Sequence, residues 1–219
     1  MLRQHIAAMG EPLGRVYNAL FNEVSIVHVT WRLYRQLYAQ SAARVDLLND
    51  TAGYFFATLQ GILVDHVVLH IGRLTDRETV AGRDNLTIQR LPLLAPDVIR
   101  VDIGTLVANA LTACEPVRLW RNRRLAHADL DVALFDATLP GLSRSDIETM
   151  LASLRAVMNR LAGHYWQTET RYEIAITPFG DADSLVFYLV KGLRVEKERQ
   201  QRLEEGKALP EDLQSEELP

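Results

Sequence analysis

Apolar residues recur every three or four positions along most of the chain, and this spacing is typical of helices that bury one face. Alternating apolar and polar positions, which indicate strands, are almost absent, and only residues 172–176 are predicted to be extended. The pattern predicts six helices, over residues 12–40, 43–76, 86–94, 97–127 with a bend at Pro116, 145–166, and from Asp181 or Asp183 to 207. We therefore expect an all-α chain, built as an up-and-down bundle of four to six helices.

The second half of the chain carries two signals of its organisation. Ser145 and Glu148 have the spacing of a capping box, which predicts that a helix begins there. The last helix is apolar as far as Leu193, and the residues from Glu196 onward are mostly charged. We expect residues 1–195 to form one bundle, and residues 196–219 to form a charged helix end followed by an acidic, mobile tail.

Composition limits the kind of partner the protein can bind. The chain has 219 residues, of which 48% are hydrophobic, and this is enough for one sizeable core. The formal net charge of -4 argues against a protein that coats nucleic acid through a generally basic surface. Any contact with RNA must therefore be local.

The compartment is predicted from the absence of certain features. Cys114 is the only cysteine, so the chain forms no intramolecular disulfide and has no cysteine spacing typical of structural zinc. The apolar run over 61–72 is interrupted by Asp65, His66 and His70, and the first ten residues do not resemble a signal peptide. We expect a cytoplasmic protein without a membrane partner or a cofactor.

The candidate chemistry lies in the stretch from Arg121 to His127. It combines several guanidinium groups, which can hold a phosphate, with an imidazole, which gains and loses a proton near neutral pH. The simplest alternative is a solvated basic helix end, where cations complement the last carbonyl groups. In a straight helix Arg121 and His127 are about a third of a turn out of alignment, so spacing alone favours Arg124 as the partner of His127.

A wider set of residues carries a family resemblance. An Arg followed by a polar residue, four further positions and a His resembles the motif of HEPN domains (higher eukaryotes and prokaryotes nucleotide-binding). The ordered set resembles the AbiU-like abortive-infection proteins of bacteria, and it consists of Trp31, Tyr34, Leu37-Tyr38, Phe55-Phe56, Arg73-Leu74-Thr75-Asp76, Asn85-Leu86-Thr87-Ile88, Leu119, Arg121-Asn122, Ala126-His127 and Asp129.

The resemblance implies a metal-independent endoribonuclease with Arg121, Asn122 and His127 as catalytic residues. We expect Arg118, Arg123 and Arg124 to bind RNA and guide it toward them. A homodimer that brings two copies of the motif into one cleft could place an Arg121 and a His127 at the same phosphate, although the two residues are out of alignment within one chain. By analogy with the family, the protein would be a toxin or phage-defence effector, with an antitoxin or another regulatory protein as a possible partner.

One position departs from the family pattern. In HEPN toxins that are neutralised by a nucleotidyltransferase partner, a tyrosine typically lies two positions after the His, and this chain has Asp129 there. The departure puts adenylylation by such an antitoxin in doubt.

Three other interpretations stay open on sequence alone. The chain could be a catalytically inactive HEPN-like module that binds a nucleotide or a protein partner. His66 and His70, four residues apart on one helix face, could bind zinc, although core-edge histidines have the same spacing more often. Arg73 and Asp76, three apart, are expected to form a local ion pair at a helix end.

Overall fold

The structure is a computed structural model that describes residues 1–121, 141–174 and 180–213. The described residues form eight α-helices and one two-stranded hairpin, so the all-α prediction is confirmed. The helices are α1 (Leu2–Met9), α2 (Glu11–Tyr38), α3 (Ala42–Leu74), α4 (Arg90–Leu94), α5 (Asp97–Ala113), α6 (Glu115–Trp120), α7 (Arg144–Trp166) and α8 (Ala182–Glu204). The strands are β1 (Thr79–Val80) and β2 (Arg83–Asp84), which pair antiparallel.

Helix boundaries agree closely with the apolar pattern for α2 and α3. The predicted helix over 97–127 instead divides at Cys114, whose backbone leaves the helical region (φ -90°, ψ 2°). Pro116 lies in the first turn of α6, where its missing N–H costs no hydrogen bond, so the predicted bend is a break between two helices. The break, the short α1 and a 3₁₀ turn over Pro210–Leu213 are helical features that the pattern did not predict.

The start of α7 corrects the predicted capping box. Ser143, and not Ser145, is the N-cap: its hydroxyl accepts from the backbone N–H of Asp146, and the Asp146 carboxylate accepts from the N–H of Ser143. Both pairs have the same spacing in sequence, and the pair at the first turn forms the box. Glu148 instead accepts the indole N–H of Trp31 at 2.7 Å, which ties α7 to α2.

The hairpin was not predicted either. Its turn is Ala81-Gly82, and both residues have positive φ (51° and 73°), which is the backbone of a tight type I′ turn. Strands of two residues carry no alternation to detect. The predicted extended segment at 172–176 is a turn at Tyr172 and Glu173, and residues 175 and 176 lie outside the described part.

The chain divides into two compact units. Unit 1 comprises residues 1–32 and 61–176, and α5 packs along α7 within it. The fully buried side chains of this pair form much of its core: Ile103 and Ala110 from α5, and Leu154, Val157, Met158 and Leu161 from α7. Unit 1 holds all the described residues of the Arg121 region.

Unit 2 comprises residues 33–60 and 177–219. Asp181 is the N-cap of α8, as predicted, and Gln36 donates from Nε2 to its carboxylate at 2.7 Å. Beyond α8, the segment Pro210–Leu213 forms a 3₁₀ turn in which Asp212 accepts from Arg202 through both carboxylate oxygens. Residues 214–219 of the predicted tail lie outside the described part.

Helix α3 is long and strongly apolar. It contains an 18-residue window of mean hydropathy 1.4, of which 28% is buried, and by length and composition alone such a helix could cross a membrane. A core helix meets the same criterion, and the C-terminal part of α3 is core: Val67, Val68 and Ile71 are at most 1% exposed. The helix is interrupted at Ala52, whose backbone is not helical (φ -156°, ψ 62°).

Candidate functional site

Arg121 directly follows α6, and its side chain lies against the end of α3. Its Nη1 donates to Oδ2 of Asp76 at 2.5 Å, across 45 positions of sequence. The two side chains are 16% and 26% exposed, so water screens the ion pair only in part. The charge-assisted hydrogen bond fixes the guanidinium at the surface of unit 1.

Gly72 makes this approach possible. A Cβ at position 72 would lie 2.8 Å from Cδ of Arg121, closer than carbon atoms pack. Asp76 lies two residues beyond the end of α3, so the arginine stem crosses α3 at Gly72 and its guanidinium reaches the carboxylate just past the helix end. A glycine inside a helix normally destabilises it, and here it provides room for one side chain.

Asp76 is held by hydrogen bonds to the last carbonyl groups of α3. The carbonyl of Leu74 accepts from the Thr87 hydroxyl and from the backbone N–H of Ile88, both at 3.0 Å. The Gln89 side chain donates to the carbonyl of Asp76 itself at 2.7 Å. We call these three donors, from Thr87, Ile88 and Gln89, the helix-end clamp. They satisfy carbonyls that a helix terminus would otherwise leave without partners.

A second set of contacts closes the loop between α3 and the clamp. Asn85 donates from Nδ2 to the carbonyl of Arg77 at 2.8 Å, and Arg90 donates from Nη2 to the carbonyl of Glu78 at 2.9 Å. Arg90 also pairs with Asp84 at 2.8 Å. These contacts therefore join Arg73-Leu74-Thr75-Asp76 and Asn85-Leu86-Thr87-Ile88, the segments on either side of the hairpin, into one structure that supports the partner of Arg121.

The structure describes only part of the predicted site. Arg118 lies on α6, one turn before Arg121, and is partly buried. Asn122, Arg123, Arg124 and His127 lie outside the described residues. Their predicted roles stay predictions.

The contact of Asp76 with Arg121 was not predicted from the sequence. The ion pair that Asp76 forms among the described residues is with Arg121, so the predicted local pair with Arg73 is wrong. Spacing along one helix reveals neighbours three or four positions apart, and it cannot reveal a partner 45 positions away. The only available signal was that Asp76 and Arg121 both belong to the ordered set of residues that carries the family resemblance.

His66 and His70 form a second cluster of titratable groups in unit 1. Their rings are 4.2 Å apart, and Nδ1 of His70 lies 3.1 Å from Oε2 of Glu23. Burial lowers the pKa of His70, with the neighbouring His66 acting in the same direction and Glu23 opposing both. Among the residues that the structure describes, no group of three or more His, Cys, Asp or Glu side chains is placed to hold a metal ion.

Cys114 lies at the break between α5 and α6, seven positions before Arg121. Its side chain is fully buried, and burial raises the pKa of the thiol to about 12. Because the thiolate is the reactive form, this cysteine is not a nucleophile near neutral pH. The described part of the site therefore offers a fixed guanidinium as its chemical group, and this suits the binding of an anion such as a phosphate.

Comparison with known protein families identifies a match over most of the chain. The family model HEPN_AbiU2, described as AbiU2, matches residues 10–182, which is most of the chain and includes the whole stretch from Arg121 to His127. No curated protein matches the chain, and no solved structure does.

Proposed function

Because the chain belongs to the AbiU2 family of HEPN proteins, we propose that it is a metal-independent endoribonuclease whose catalytic residues are Arg121, Asn122 and His127. The observation that carries the proposal is the fixed position of Arg121. A carboxylate, a glycine and a clamped helix end all hold this one guanidinium at the first position of the family motif.

The proposed reaction is an internal transfer at one phosphodiester. The ribose 2′-oxygen attacks the adjacent phosphorus, a P–O bond forms there, and the bond to the 5′-oxygen of the next nucleotide breaks. The products are a 2′,3′-cyclic phosphate and a free 5′-hydroxyl. The proton leaves the 2′-hydroxyl and one is delivered to the departing 5′-oxygen, so no water is consumed.

The side chains are assigned by the charges that develop. Arg121 stabilises the additional negative charge on the phosphate oxygens in the transition state, and a guanidinium in a fixed orientation does so without having to reorganise. His127 moves a proton to or from a reacting oxygen, a task that suits an imidazole near neutral pH. Asn122 orients one of these groups, and Arg118, Arg123 and Arg124 attract the RNA backbone.

Asp76 is a positioning residue in this proposal. Its carboxylate offsets part of the positive charge of Arg121, which weakens attraction for a resting phosphate. In return it restricts a long, flexible side chain to one orientation. The balance predicts that Asp76 contributes more to the rate of the chemical step than to RNA affinity.

We propose that the active site is completed in a homodimer. In a straight helix Arg121 and His127 would be about a third of a turn out of alignment, and a two-fold axis beside the motif would bring each arginine toward the partner's histidine. Mixing two inactive variants tests this arrangement. Arg121→Ala and His127→Ala chains, refolded together, are expected to regain about a quarter of the parent activity, because half of the dimers are mixed and each has one intact site. No recovery would contradict the composite site.

The nuclease proposal is tested by cleavage of a mixed set of RNAs in the presence of a chelator. The parent is expected to release fragments with cyclic phosphate ends, and Arg121→Ala and His127→Ala are expected to cleave at least about a hundredfold more slowly. Intact RNA in every reaction, or full activity of His127→Ala, would favour the inactive binding module.

A second ion pair serves as a control that separates a positioning role of Asp76 from a general effect on stability. Arg160 and Asp102 form a partly exposed pair at 2.8 Å within the same unit. Asp76→Asn is expected to lower kcat about tenfold or more with little change in KM, whereas Asp102→Asn is expected to leave both unchanged. Equal effects from the two variants would show that Asp76 acts only through folding.

By analogy with the family we further propose a cytoplasmic toxin or phage-defence effector, restrained by an antitoxin or another regulatory protein. Expression of the chain in bacteria is the test. Growth is expected to stop with the parent and to continue with Arg121→Ala or His127→Ala. Arrest that persists in both variants would overturn the toxic nuclease activity.

A further inference from the structure

An aromatic cavity lies in unit 1, where α1, α2 and the C-terminal end of α7 meet. It has a volume of about 390 Å³, which is within the range of small-molecule sites. Four rings line it, from His5, Tyr17, Phe21 and Trp166. The His5 ring is at the centre of this cluster, 5.0 Å from Tyr17 and 5.3 Å from Trp166.

The His5 ring is a neutral wall of this cavity. His5 is 7% exposed, and burial lowers the pKa of its imidazole. Nδ1 lies 3.1 Å from the side-chain oxygen of Asn18, which can only accept, so Nδ1 carries the proton and Nε2 is the acceptor. The hydrogen bond to Asn18 thus holds the ring in one orientation.

The other residues that line the cavity are uncharged. They are Ala162 and three residues with polar side chains, Gln4, Thr168 and Thr170. The backbone at Thr170 is itself fixed, because its N–H donates to Oδ1 of Asn159 at 2.9 Å and its carbonyl accepts from Nδ2 at 3.0 Å. Donors and acceptors are therefore available beside the aromatic faces.

These features discriminate among ligand classes. A cation would use the ring faces, but no carboxylate is among the described residues that line the cavity, so its charge would have no counter-ion. An anion would find no cationic side chain in that same described lining. A saturated apolar ligand would leave the amide and hydroxyl groups without partners. An uncharged planar heterocycle satisfies both walls, since its face stacks and its edge hydrogen-bonds.

We propose that this cavity binds a nucleobase, stacked on Trp166 and hydrogen-bonded at its edge to Gln4, Thr168 or Thr170. The base can belong to a free nucleoside or to a single-stranded RNA, and both sources offer the same planar edge and face. The site does not depend on the proposed nuclease activity, because it shares no residue with the Arg121 region.

The test is isothermal titration calorimetry on the full chain with adenosine, uridine, tetramethylammonium chloride and cyclohexanol as separate probes. At least one nucleoside is expected to bind more tightly than either of the other two probes. A six-nucleotide single-stranded RNA, titrated into His127→Ala to prevent cleavage, distinguishes the sources: tighter binding than the nucleoside assigns the base to a strand.

Substitutions locate the binding. Trp166→Leu is expected to weaken nucleoside affinity at least about fivefold, while Tyr165→Leu, the neighbouring aromatic outside the cavity lining, is expected to change it less than about twofold. Thr168→Val, in an exposed loop, should also weaken binding without affecting folding. If Trp166→Leu does not fold, Trp166→Phe keeps a stacking face and should retain most of the affinity.

Three results would overturn the proposal. They are preferential binding of tetramethylammonium or cyclohexanol, no heat from any nucleoside or oligonucleotide at millimolar concentration, and an affinity of Thr168→Val, or of a folded Trp166→Leu, equal to that of the parent.

Discussion

Arg121 passes so close to Gly72 that only a glycine leaves room for it: a Cβ at position 72 would lie 2.8 Å from Cδ of the arginine. The alignment of the guanidinium with Asp76 therefore depends on the absence of one methyl group. Gly72→Ala is expected to displace Arg121 and to slow RNA cleavage about tenfold or more, the same effect that is expected for loss of the Asp76 carboxylate. Initial rates and thermal unfolding of the same preparations are the measurements.

Gly61→Ala is the matched control, since Gly61 lies on the same helix and a Cβ added there would have no neighbouring atom within 4 Å. Alanine there should raise the free energy of unfolding by up to about 1 kcal/mol through helix propensity, with no effect on cleavage. Parent-like rates in Gly72→Ala would show that Arg121 tolerates the displacement.

The helix-end clamp predicts that a residue remote from the chemistry affects it. Thr87 is fully buried and donates to the carbonyl of Leu74 at 3.0 Å. Thr87→Val removes this donor and should lower the free energy of unfolding by about 1 kcal/mol, with slower cleavage because Asp76 is less well fixed. Chemical denaturation and initial rates measure the two effects.

Thr149→Val serves as the control for that change. Its hydroxyl donates to a helix carbonyl at 2.9 Å on an exposed surface, so both quantities should stay near the parent values. If the two valine variants behave alike, the clamp does not fix Asp76.

Buried histidines predict a loss of stability in mild acid. Burial lowers the pKa of His28, with Arg155 acting in the same direction and the Val24 carbonyl, Glu173 and Glu148 opposing. The unfolded chain therefore binds protons more readily than the folded chain, and the free energy of unfolding falls as the pH drops below about 6.5. Denaturation at about pH 7.5 and about pH 5.5, on either side of that value, measures the difference.

His28→Gln should reduce this dependence on pH, whereas His164→Gln, at an exposed position on α7, should leave it intact. His5 and His70, whose pKa values are also lowered by burial, account for the remaining slope. A parent chain that is equally stable at both pH values would contradict the prediction.

Asp212, in unit 2, is an acidic group whose contribution to stability is expected to be lost only in strong acid. Hydrogen bonds from Arg202 and from the backbone of Leu209 hold the pKa of its carboxyl at about 2, so its contribution is present above about pH 4 and is lost as the pH falls toward 2. Asp212→Asn should release the 3₁₀ turn at neutral pH. Limited trypsin digestion is expected to cleave faster after Arg202 and Lys207. Unchanged digestion would mean that Asp212 does not hold the segment.

The sequence pattern predicted the long helices because each buries a continuous apolar face, as Leu20, Val24 and Val27 do on α2. It assigned the start of α7 to the wrong serine, since Ser143 and Ser145 both precede an acid by three positions. Which serine caps the helix depends on where the preceding loop turns, and spacing does not encode that.

Arg121 was predicted as a functional residue from its chemistry and its family pattern, but its partner was not. Contacts such as Arg121 with Asp76, or Trp31 with Glu148, join residues that are distant in sequence, so helical periodicity gives no indication of them. They follow only from the way the helices pack.

The hairpin at 79–84 offers a site for labelling. Its base is closed by the N–H of Asn85, which donates to the carbonyl of Glu78 at 2.7 Å, while Val80, Ala81 and Gly82 at its tip are exposed. A short epitope or a dye-binding peptide inserted between Ala81 and Gly82 would extend into solvent from a stem that is already closed. It would place a reporter a few residues from Asp76 without breaking the support of Arg121.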